Sequence, residues 1–496
     1  MDREIELKFL IAPEAAEDIL ALLDGESHVR QLTATYFDTA DHALRKAGFG
    51  LRVRDGEGGR KQTLKSASAG GVFSRGEWET SIVGPGPDST ALATTPAAGV
   101  VKDQPLSPVF TTQVERKVRM IRRGETLIEA VVDRGELIGQ TRRAQVCELE
   151  LELKAGTPDA LFDLARELAG RVSLRLSLVS KAERGYDLAL PDKPATTLSR
   201  SPAVLSPDFT TAQALQAVGR AALAQLCGNV EALRERPSPE GVHQLRVAAR
   251  RMRALLKAFR PLSAGPDAKA IDAELKWLSG ELDLARELDV FITEVWQPAS
   301  QDLQANGATA LGRALLAAQA KAYLRMEAAL VSPRARALML ETAAWLEAGA
   351  WTATPDLASD RDQAATDFAA ALLDHLRMGL VKKSKHLHRM NAEARHRLRL
   401  KGKVLRYAAA DLSTLFPEHP KRADRFIEAA KALQDALGRL NDLHVRSGLV
   451  EGVASASGDT EAQLAAASLA DGADEAALLR DACKARKAFV EARPFW

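Results

Sequence analysis

A chain of 496 residues is too long for a single hydrophobic core, so its length predicts two or three domains. The composition is 46% hydrophobic with a net charge of +2, and no apolar run reaches the roughly 18 residues of a membrane span. The three cysteines stand far apart, which excludes a zinc pattern, and the N-terminal stretch lacks the apolar core of a signal peptide. We therefore expect a cytoplasmic protein with reduced thiols and no membrane contact.

The first half of the chain alternates between charged and apolar residues, which is the pattern of a half-buried β-strand. The alternating segments are 4–10, 50–54, 61–65, 75–79 and 148–154. Two helices are predicted between the strands, near Pro13–Leu23 and Pro158–Ala169. Several strands separated by short turns predict a β-sandwich or a β-barrel.

The charged residues of these strands sort by sign. The carboxylates are Glu4, Glu6, Glu148, Glu150 and Glu152, and the cations are Arg52, Arg54, Lys65, Arg75 and Arg116. A single charged strand face ordinarily meets bulk water, but a barrel of five such strands can turn these faces inward. Arg and Lys neutralise phosphate oxygens, and Mg²⁺ or Mn²⁺ can join carboxylates to phosphate. The pattern therefore favours a tunnel for a chain of phosphates.

At these residues the sequence resembles the CYTH domains, also called triphosphate tunnel metalloenzymes. Glu4-Ile5-Glu6-Leu7-Lys8 matches their ExExK signature. Further blocks follow in the family's order at 36–39, 51–54, 63–65, 75–77, 110–116, 133–135, 148–154 and 180–186. The resemblance covers about residues 1–190. It implies an eight-stranded antiparallel β-barrel with flanking helices, whose charged interior holds triphosphate and a divalent metal ion.

The resemblance also implies a role for each charged position. The metal ligands would be Glu4, Glu6, Glu150 and Glu152, with Glu148 on the same face as an alternative. The triphosphate contacts would be Lys8, Arg52, Arg54, Lys65, Arg75, Arg116, Lys181 and Arg184. Lys8, Glu6 or Glu150 would help to activate water, and the sequence does not choose among them. Glu77 and Asp133 would either support the metal ligands or form structural ion pairs.

The second half of the chain follows a segment at 191–207 that is rich in Pro, Ser and Thr and typical of a linker. It is rich in Ala, Leu and Arg with a helical period, which predicts helices almost throughout. Residues 241–260 contain six Lys or Arg and no acid. On a helix, one face would carry His243, Arg246, Arg250 and Arg253. Like charges on one face are unfavourable without a counter-anion, so this face is predicted to bind one.

The same spacing recurs at His396, Arg399, Lys403 and Arg406. Each copy is followed by an LxRxxD element, and its aspartate, Asp289 or Asp442, lies 46 residues after the histidine. The coincidence predicts an internal duplication in which each aspartate pairs with a basic residue of its own repeat. The basic segments offer few aromatic residues for base stacking, which argues against nucleic acid and favours a polyanion without bases. His386 and His388 lack a third metal ligand and are assigned to the basic surface.

This half resembles the CHAD domain over about residues 206–496. CHAD domains are helical, are built from two repeats and are associated with inorganic polyphosphate. The resemblance implies that polyphosphate is bound by His243, Arg246, Arg250, Arg253, His396, Arg399, Lys403 and Arg406. The expected fold is α+β with two domains: a CYTH domain at 1–195, a linker at 196–206 and an all-α CHAD domain at 207–496. A CYTH domain followed by a CHAD domain is an arrangement of bacterial inorganic triphosphatases.

The leading interpretation is an enzyme that hydrolyses inorganic triphosphate to pyrophosphate and phosphate with Mg²⁺ or Mn²⁺. The helical half would hold the protein on polyphosphate, and we expect association with polyphosphate granules. Two alternatives on the same barrel are a nucleotide cyclase and a thiamine triphosphatase, which need a pocket for a base or a thiazole ring. The third is a non-catalytic polyphosphate-binding protein, against which the retained carboxylates count.

Overall fold

The computed structural model describes residues 5–25, 27–56, 59–66, 76–102, 104–189, 203–301, 305–469 and 475–496, without the side chains of residues 27, 305 and 442–447. The chain divides into two compact units. Residues 1–196 with 339–348 form the first unit, and residues 197–338 with 349–496 form the second. Most of the predicted linker at 196–206 lies outside the described residues, so the boundaries at 195 and 207 stay predictions.

The first unit is built on one antiparallel sheet, which has nine strands within the described residues. The strands are β1 Ile5–Leu10, β2 Ser27–Asp38, β3 Phe49–Gly56, β4 Gly59–Ser66, β5 Glu77–Ser81, β6 Ser107–Arg123, β7 Thr126–Ile138, β8 Arg143–Ala155 and β9 Arg175–Leu176. Their order in the sheet is β5-β4-β3-β2-β6-β7-β8-β1-β9. The helices of this unit are α1 Ala15–Leu22, α2 Ala43–Lys46, α3 Ser89–Ala93, α4 Ala98–Val101, α5 Pro158–Ala169 and α6 Lys181–Ala189.

The apolar face of the sheet forms the core of the first unit. Leu7 and Phe9 on β1 alternate with charged residues and are almost fully buried. Leu149 and Leu151 do the same on β8, which packs against α5. At the other side of the sheet, Leu51 belongs to a buried cluster with residues of α2, α3 and α4. The alternation in the sequence is therefore the alternation between this core and the opposite, charged face.

The antiparallel sheet and the helical second unit confirm the predicted fold class, and two details of the barrel prediction are wrong. The sheet has nine strands rather than eight, and the edge strands β5 and β9 are not paired with each other in the described residues. The reason is local: β9 has only two residues, and the chain then forms α6 a few residues later. Within the described residues the sheet is therefore open between β5 and β9.

The second unit is helical. Its helices are α7 Thr211–Glu235, α8 Pro239–Ala258, α9 Arg260–Ser263, α10 Pro266–Phe291, α11 Gln297–Ala299, α12 Ala305–Val331, α13 Pro333–Ala348, α14 Ala358–Asp362, α15 Ala365–Lys383, α16 Ala392–Leu412, α17 Pro420–Ser457, α18 Thr460–Ser468 and α19 Glu475–Glu491. The division between the units falls within α13. The predicted basic segments form α8 and α16, and these two helices pack against each other.

The starts of α8 and α16 follow from their capping residues. Ser238 caps α8, because its hydroxyl accepts a hydrogen bond from the backbone N–H of Gly241, and Pro239 occupies the first turn. Asn391 caps α16 in the same way through the N–H of Ala394. Ser and Asn are favoured at this position because they satisfy backbone donors that the helix leaves unpaired. The two basic helices thus begin at equivalent points of the two sequence repeats.

Candidate functional site

Alternate strand residues place the predicted ligands on one face of the sheet, which we term the charged face. It carries Glu6 and Lys8 on β1, Arg52 and Arg54 on β3, Lys65 on β4, Arg116 on β6, Asp133 on β7, and Glu148, Glu150 and Glu152 on β8. The strand register sets Lys8 opposite Glu150 and Glu6 opposite Glu152. Glu4 and Arg75 lie outside the described residues.

Lys181, the first residue of α6, contacts three carboxylates of the charged face. Its Nζ lies 2.9 Å from Asp133 Oδ2, 2.7 Å from Glu148 Oε2 and 2.8 Å from Glu150 Oε1. The side chain of Lys181 is 11% exposed, and those of Asp133 and Glu148 are fully buried. Burial alone would lower the pKa of Lys181, but the charges of the three carboxylates hold it well above its usual value. Lys181 is therefore a charged centre in a buried ion network.

Glu150 is the second crossing point of this network. Lys8 Nζ lies 3.2 Å from its Oε1, and Arg116 Nη2 lies 3.3 Å from its Oε2. Arg116 also donates two hydrogen bonds to Asp133, of 2.8 Å and 2.6 Å. Burial alone would raise the pKa of Glu150, but the charges of Lys181, Lys8 and Arg116 hold it well below the usual carboxyl range. A carboxylate with so low a pKa is a weak general base.

Glu148 is engaged from two sides. Arg184 on α6 donates to its Oε1, and Lys181 contacts its Oε2. Arg184 also donates a 2.8 Å hydrogen bond to the backbone oxygen of Gln145. Because Glu148 is fully buried and both of its oxygens face cations, this environment favours an anchor for α6 over a metal ligand.

Three carboxylates lie side by side farther along the charged face. Glu6 faces Glu152 across β1 and β8, and Glu152 faces Glu129 across β8 and β7. Lys154 contacts Glu152 and lies 3.6 Å from Glu129 Oε1. Like charges directly opposite one another destabilise a sheet unless a cation lies between them. No group of three or more His, Cys, Asp or Glu that could hold a metal ion occurs in the part of the chain that the structure describes.

The donor chemistry of Glu6 and Glu152 nevertheless fits a hard divalent cation. Mg²⁺ is usually bound by one or two carboxylates together with waters and substrate phosphates, rather than by a full set of protein ligands. Glu6 has no ion pair with a cation among the described residues, and Glu152 lies opposite it in the register. These two carboxylates are therefore the metal-ligand candidates that the described part of the charged face provides.

The cations of β3 and β4 meet carboxylates of β5 at the other side of the charged face. Lys65 Nζ lies 3.1 Å from Glu77 Oε2. Lys61 Nζ lies 2.5 Å from Glu79 Oε1, and Arg54 Nη2 lies 3.3 Å from Glu79 Oε2. The predicted substrate contacts Arg54 and Lys65 are thus engaged by internal carboxylates in this structure.

Three guanidinium groups come together where these cations approach β6. Burial first, and then the positive charges of Arg52 and Arg116, lower the pKa of Arg54. The Nε of Arg52 is buried and has no hydrogen-bond partner within the described residues. These three partly buried cations repel one another, Arg54 and Arg116 also contact carboxylates, and an anion placed among the three groups would relieve the remaining repulsion.

Helix α6 is held on the charged face by tight packing. A Cβ at Gly185 would lie 2.0 Å from a ring carbon of Phe110, so only glycine allows this approach. Tyr186 packs edge-on against Phe110 and donates a 2.9 Å hydrogen bond to buried Asp38. The same helix carries Lys181 at its first residue, so this packing sets the position of that ammonium group.

The first basic helix of the second unit finds partners on α10. Arg246 Nη1 lies 2.7 Å from Asp283 Oδ1, and Arg253 binds Asp272 through two hydrogen bonds. The absence of acids within 241–260 therefore does not leave this face without counter-charge, because α10 supplies it. The Nε of Arg250 is buried without a hydrogen-bond partner in the described part of the chain.

His243 lies in a positive field at the start of this face. Burial is the largest cause that lowers its pKa, and the charge of Arg286 is the next. Arg250 and Arg246 lower it further, while Glu240 acts in the opposite direction. Arg286, in the first LxRxxD element, thus belongs to the same cationic surface as the predicted residues.

The second basic helix makes contacts of a different kind. His396 Nδ1 lies 2.8 Å from Asn441 Oδ1, and Arg406 Nε donates a 2.8 Å hydrogen bond to Gln434 Oε1. The guanidinium of Arg399 lies against Gly438, where a Cβ would be 3.5 Å from its Nε. Lys403 lies one helical turn from Arg399 on α16. His396 and Arg406 therefore contact neutral side chains of α17, whereas Arg246 and Arg253 contact carboxylates of α10.

The prediction that each LxRxxD aspartate pairs with a basic residue is wrong for the first repeat. Asp289 is 3% exposed and accepts hydrogen bonds from Gln319 Nε2 at 2.8 Å and from Tyr323 OH at 2.9 Å, both on α12. Burial is the largest cause that raises its pKa. Asp289 therefore joins α10 to α12. The side chain of Asp442 lies outside the described residues.

A buried ion pair joins the two basic helices. Arg251 on α8 is fully buried, and its Nη2 lies 2.8 Å from Asp411 Oδ1 on α16. Its Nε is 3.0 Å and 3.2 Å from the two carboxylate oxygens of Asp411. Arg251 follows Arg250 by one residue and is therefore turned about 100° away from the predicted basic face.

Comparison with known proteins identifies both units. Residues 2–186 match the CYTH domain family, and residues 217–451 match the CHAD domain family. The chain is a CYTH domain followed by a CHAD domain. None of the helices in the described part of the chain combines the length and the apolar character of a membrane span.

Three relatives show how far the similarity extends. An inorganic triphosphatase of Haemophilus influenzae is 31% identical over 193 residues, which is 38% of this chain and 55% of that protein, so little more than half of that relative is matched. An uncharacterized protein of Mycobacterium tuberculosis is 27% identical over 484 residues, covering 88% of this chain and 86% of its own length. The crystal structure of the CHAD domain from the plant Ricinus communis is 27% identical, with a TM-score of 0.50, and covers 60% of this chain and 98% of that chain.

Sequence reasoning missed four charged-face residues of the CYTH domain. They are Arg30 on β2, Lys61 on β4, Glu79 on β5 and Glu129 on β7. A signal for three of them was present, because Lys61 and Glu129 share strand parity with Lys65 and Asp133, and Glu79 alternates with Glu77 in the segment 75–79. The position of Arg30 follows only from the pairing of β2 with β6.

Proposed function

We propose that the CYTH domain hydrolyses inorganic triphosphate to pyrophosphate and phosphate, and that the CHAD domain binds inorganic polyphosphate. The observation that carries the first part is the meeting of Arg52, Arg54 and Arg116 on the charged face beside Lys8 and Lys181. Convergent guanidinium and ammonium groups suit a short, densely charged chain of phosphates. The similarity to the triphosphatase of H. influenzae supports the same substrate class.

The residues of the charged face divide the catalytic work. Arg52, Arg54 and Arg116 neutralise and align the phosphate chain. Lys8 and Lys181 lie beside Glu150, and we assign them to the phosphoryl group under attack. The low pKa of Glu150 means that its carboxylate is deprotonated at neutral pH. Its role is therefore to hold these cations rather than to accept a proton from water. Glu148 and Arg184 anchor α6.

Glu6 and Glu152, together with Glu4, are the proposed ligands of Mg²⁺ or Mn²⁺. A bound divalent cation would polarise the phosphoryl oxygens and neutralise charge that develops during transfer. Glu6 is also the carboxylate of the predicted catalytic set that has no cation paired with it among the described residues, which leaves it able to accept a hydrogen bond from water.

The CHAD domain offers an anion surface on α8 and α16. These helices pack together, so their basic residues belong to one region of the domain. Burial is the largest cause that lowers the pKa of His243, and the charges of Arg286 and Arg250 lower it further. A flexible polyanion can follow such a surface, and its binding would release condensed counterions.

A substrate panel tests the catalytic part. Phosphate release is measured from triphosphate, ATP, thiamine triphosphate and long polyphosphate, with Mg²⁺ and with Mn²⁺. Preference for triphosphate supports the proposal, whereas preference for ATP or thiamine triphosphate would transfer the site to the nucleotide or thiamine class. Residues 1–195 should retain the activity, because every proposed catalytic residue lies within them.

A binding experiment tests the CHAD part. The full chain is titrated with long polyphosphate and with duplex DNA at several salt concentrations. A quadruple alanine variant at Arg246, Arg250, Arg399 and Lys403 should lose polyphosphate binding. The matched control removes the same charge elsewhere in the helical unit, at Arg313, Lys321, Arg325 and Arg334. Equal losses in both variants, or equal affinity for DNA and polyphosphate, would contradict a specific basic surface.

A further inference from the structure

Three donors from two strands converge on the carboxylate of Glu79. Lys61 Nζ lies 2.5 Å from its Oε1, while Thr63 Oγ1 at 3.2 Å and Arg54 Nη2 at 3.3 Å approach its Oε2. Thr63 is fully buried and Arg54 is 22% exposed, so two of the three donors are largely withdrawn from water. A convergent ammonium, guanidinium and hydroxyl group is also the donor set that a phosphate group requires.

The carboxylate is charged and strongly held at neutral pH. Its partial burial acts to raise the pKa of Glu79, but the hydrogen bond and charge of Lys61, followed by Arg54 and Thr63, lower it below its usual value. The carboxylate of Glu79 therefore occupies a set of donors that could otherwise bind an anion.

These donors continue the cation cluster assigned to the substrate. Arg54 lies two residues from Arg52 on the same face of β3, and burial, followed by the charges of Arg52 and Arg116, lowers its pKa. Arg54 is therefore shared between the cluster and the donor set around Glu79. A phosphate chain that is bound at the cluster and extended past Arg54 would meet Glu79.

We propose that Glu79 limits the length of the phosphate chain that the charged face accepts, because its carboxylate occupies the donors that one further phosphate would use. This rests on the proposed triphosphatase function and adds a specificity determinant to it. Triphosphate fits in front of Glu79, whereas a longer chain must displace a paired carboxylate and then suffers its repulsion. Rejection by an unfavourable charge of this kind is a recognised route to specificity.

The neighbouring carboxylate provides a matched control. Glu77 is on the same strand and the same face, two residues from Glu79, and forms its ion pair with Lys65. Glu77→Gln therefore removes one negative charge from β5 without releasing Lys61, Thr63 or Arg54. Any effect of overall charge on long anions should be the same in both variants.

The experiment compares the full-length wild type, Glu79→Gln and Glu77→Gln with tripolyphosphate and tetrapolyphosphate in Mg²⁺. We expect the ratio of kcat/KM for tetraphosphate to that for triphosphate to rise at least about tenfold in Glu79→Gln, the effect of one charged hydrogen bond. The ratio should stay near that of the wild type in Glu77→Gln. An unchanged ratio in Glu79→Gln, or equal rises in both variants, would overturn the proposal.

Calorimetric titration separates this result from failure of the proposed function. If the wild type hydrolyses neither substrate, the triphosphatase proposal fails, but the affinities of the three proteins for tetraphosphate remain measurable. A gain of about tenfold in Glu79→Gln alone supports a length limit on binding. Equal affinity of the wild type and Glu79→Gln for tetraphosphate would reject it.

Discussion

Replacing Lys181 by methionine should destabilise the CYTH domain more than any exchange of a surface lysine. Methionine keeps the length of the side chain but removes the ammonium group, which lies 2.7 to 2.9 Å from three carboxylates. Two of these carboxylates are fully buried, so the loss leaves negative charge in a region with little water. Breaking a buried ion pair by removing one partner costs about 3–5 kcal/mol.

The expected value lies near the lower end of that range, about 3 kcal/mol, because other cations remain. Arg116 still binds Asp133 through two hydrogen bonds, and Arg184 still contacts Glu148. Lys117→Met is the control, since Lys117 pairs with Glu17, whose side chain is 66% exposed. A surface pair of this kind contributes little to stability, because water screens both charges.

The loss of stability in Lys181→Met should also depend on pH. The pKa values of Asp133 and Glu150 are lowered in the folded protein, so their contribution to stability is present above the unfolded value near 4 and is lost as the pH falls through the folded value. The raised pKa of Lys181 adds stability that persists until the pH rises above about 10. In Lys181→Met the carboxylates take up protons more readily, so the gap to wild type should be widest near neutral pH and narrow toward about pH 4.

The assay is a urea titration of the full chain with pulsed hydrogen exchange and mass spectrometry, which reads β7 and β8 separately from the helical unit. Peptides from these strands give the free energy of unfolding of the CYTH domain. A loss in Lys181→Met no larger than that in Lys117→Met would refute the reasoning, because the ion network would then be as well solvated as a surface pair.

Three further predictions concern activity and binding. Glu6→Gln keeps the side-chain shape but removes a charged ligand, so kcat at saturating metal should fall at least about a hundredfold, and near wild-type turnover would remove Glu6 from the metal site. Arg52→Ala with Arg54→Ala should lower kcat/KM for triphosphate about a hundredfold or more, measured by phosphate release, because two charged contacts are lost. Polyphosphate affinity should rise as the pH falls from about 7.5 to about 5.5, since a bound anion favours the protonated form of His243, whose pKa is lowered in the free protein. Titrations of His243→Gln should show a flatter pH profile.

The strands and their faces follow from the sequence because alternation has an unambiguous structural meaning. Glu6 alternates with Lys8 on β1, as Glu150 does with Glu152 on β8, and the four residues lie on one face of the sheet. Which of them meet could not be read in this way, since strand pairing is a long-range property: β2 pairs with β6, far along the chain. The ion pairs of Glu148 with Lys181 and Arg184 depend on α6, and no strand pattern predicts the position of that helix.

The helical unit shows the same division between local and distant information. Helical spacing predicts that His243, Arg246 and Arg253 share a face, and all three residues belong to the single helix α8. The acids that neutralise part of this face, Asp272 and Asp283, lie on α10 and are not visible in the spacing of α8. Asp289 has the character expected of an ion-pair partner, but the fold places Gln319 and Tyr323 of α12 beside it.

The two basic segments share their spacing, but their last cations have different partners. The last cation of the first basic helix, Arg253, binds the carboxylate of Asp272, whereas its counterpart Arg406 binds the neutral amide of Gln434. A carboxylate partner cancels the positive charge, while an amide partner only orients it.

The second basic segment is also rich in cations. Residues 377–406 contain eleven Lys or Arg and a single acid, Glu393, which contacts Arg397 on its own helix. Arg253 and Arg406 occupy equivalent places in the two segments, and the fold gives the first a carboxylate partner and the second an amide partner.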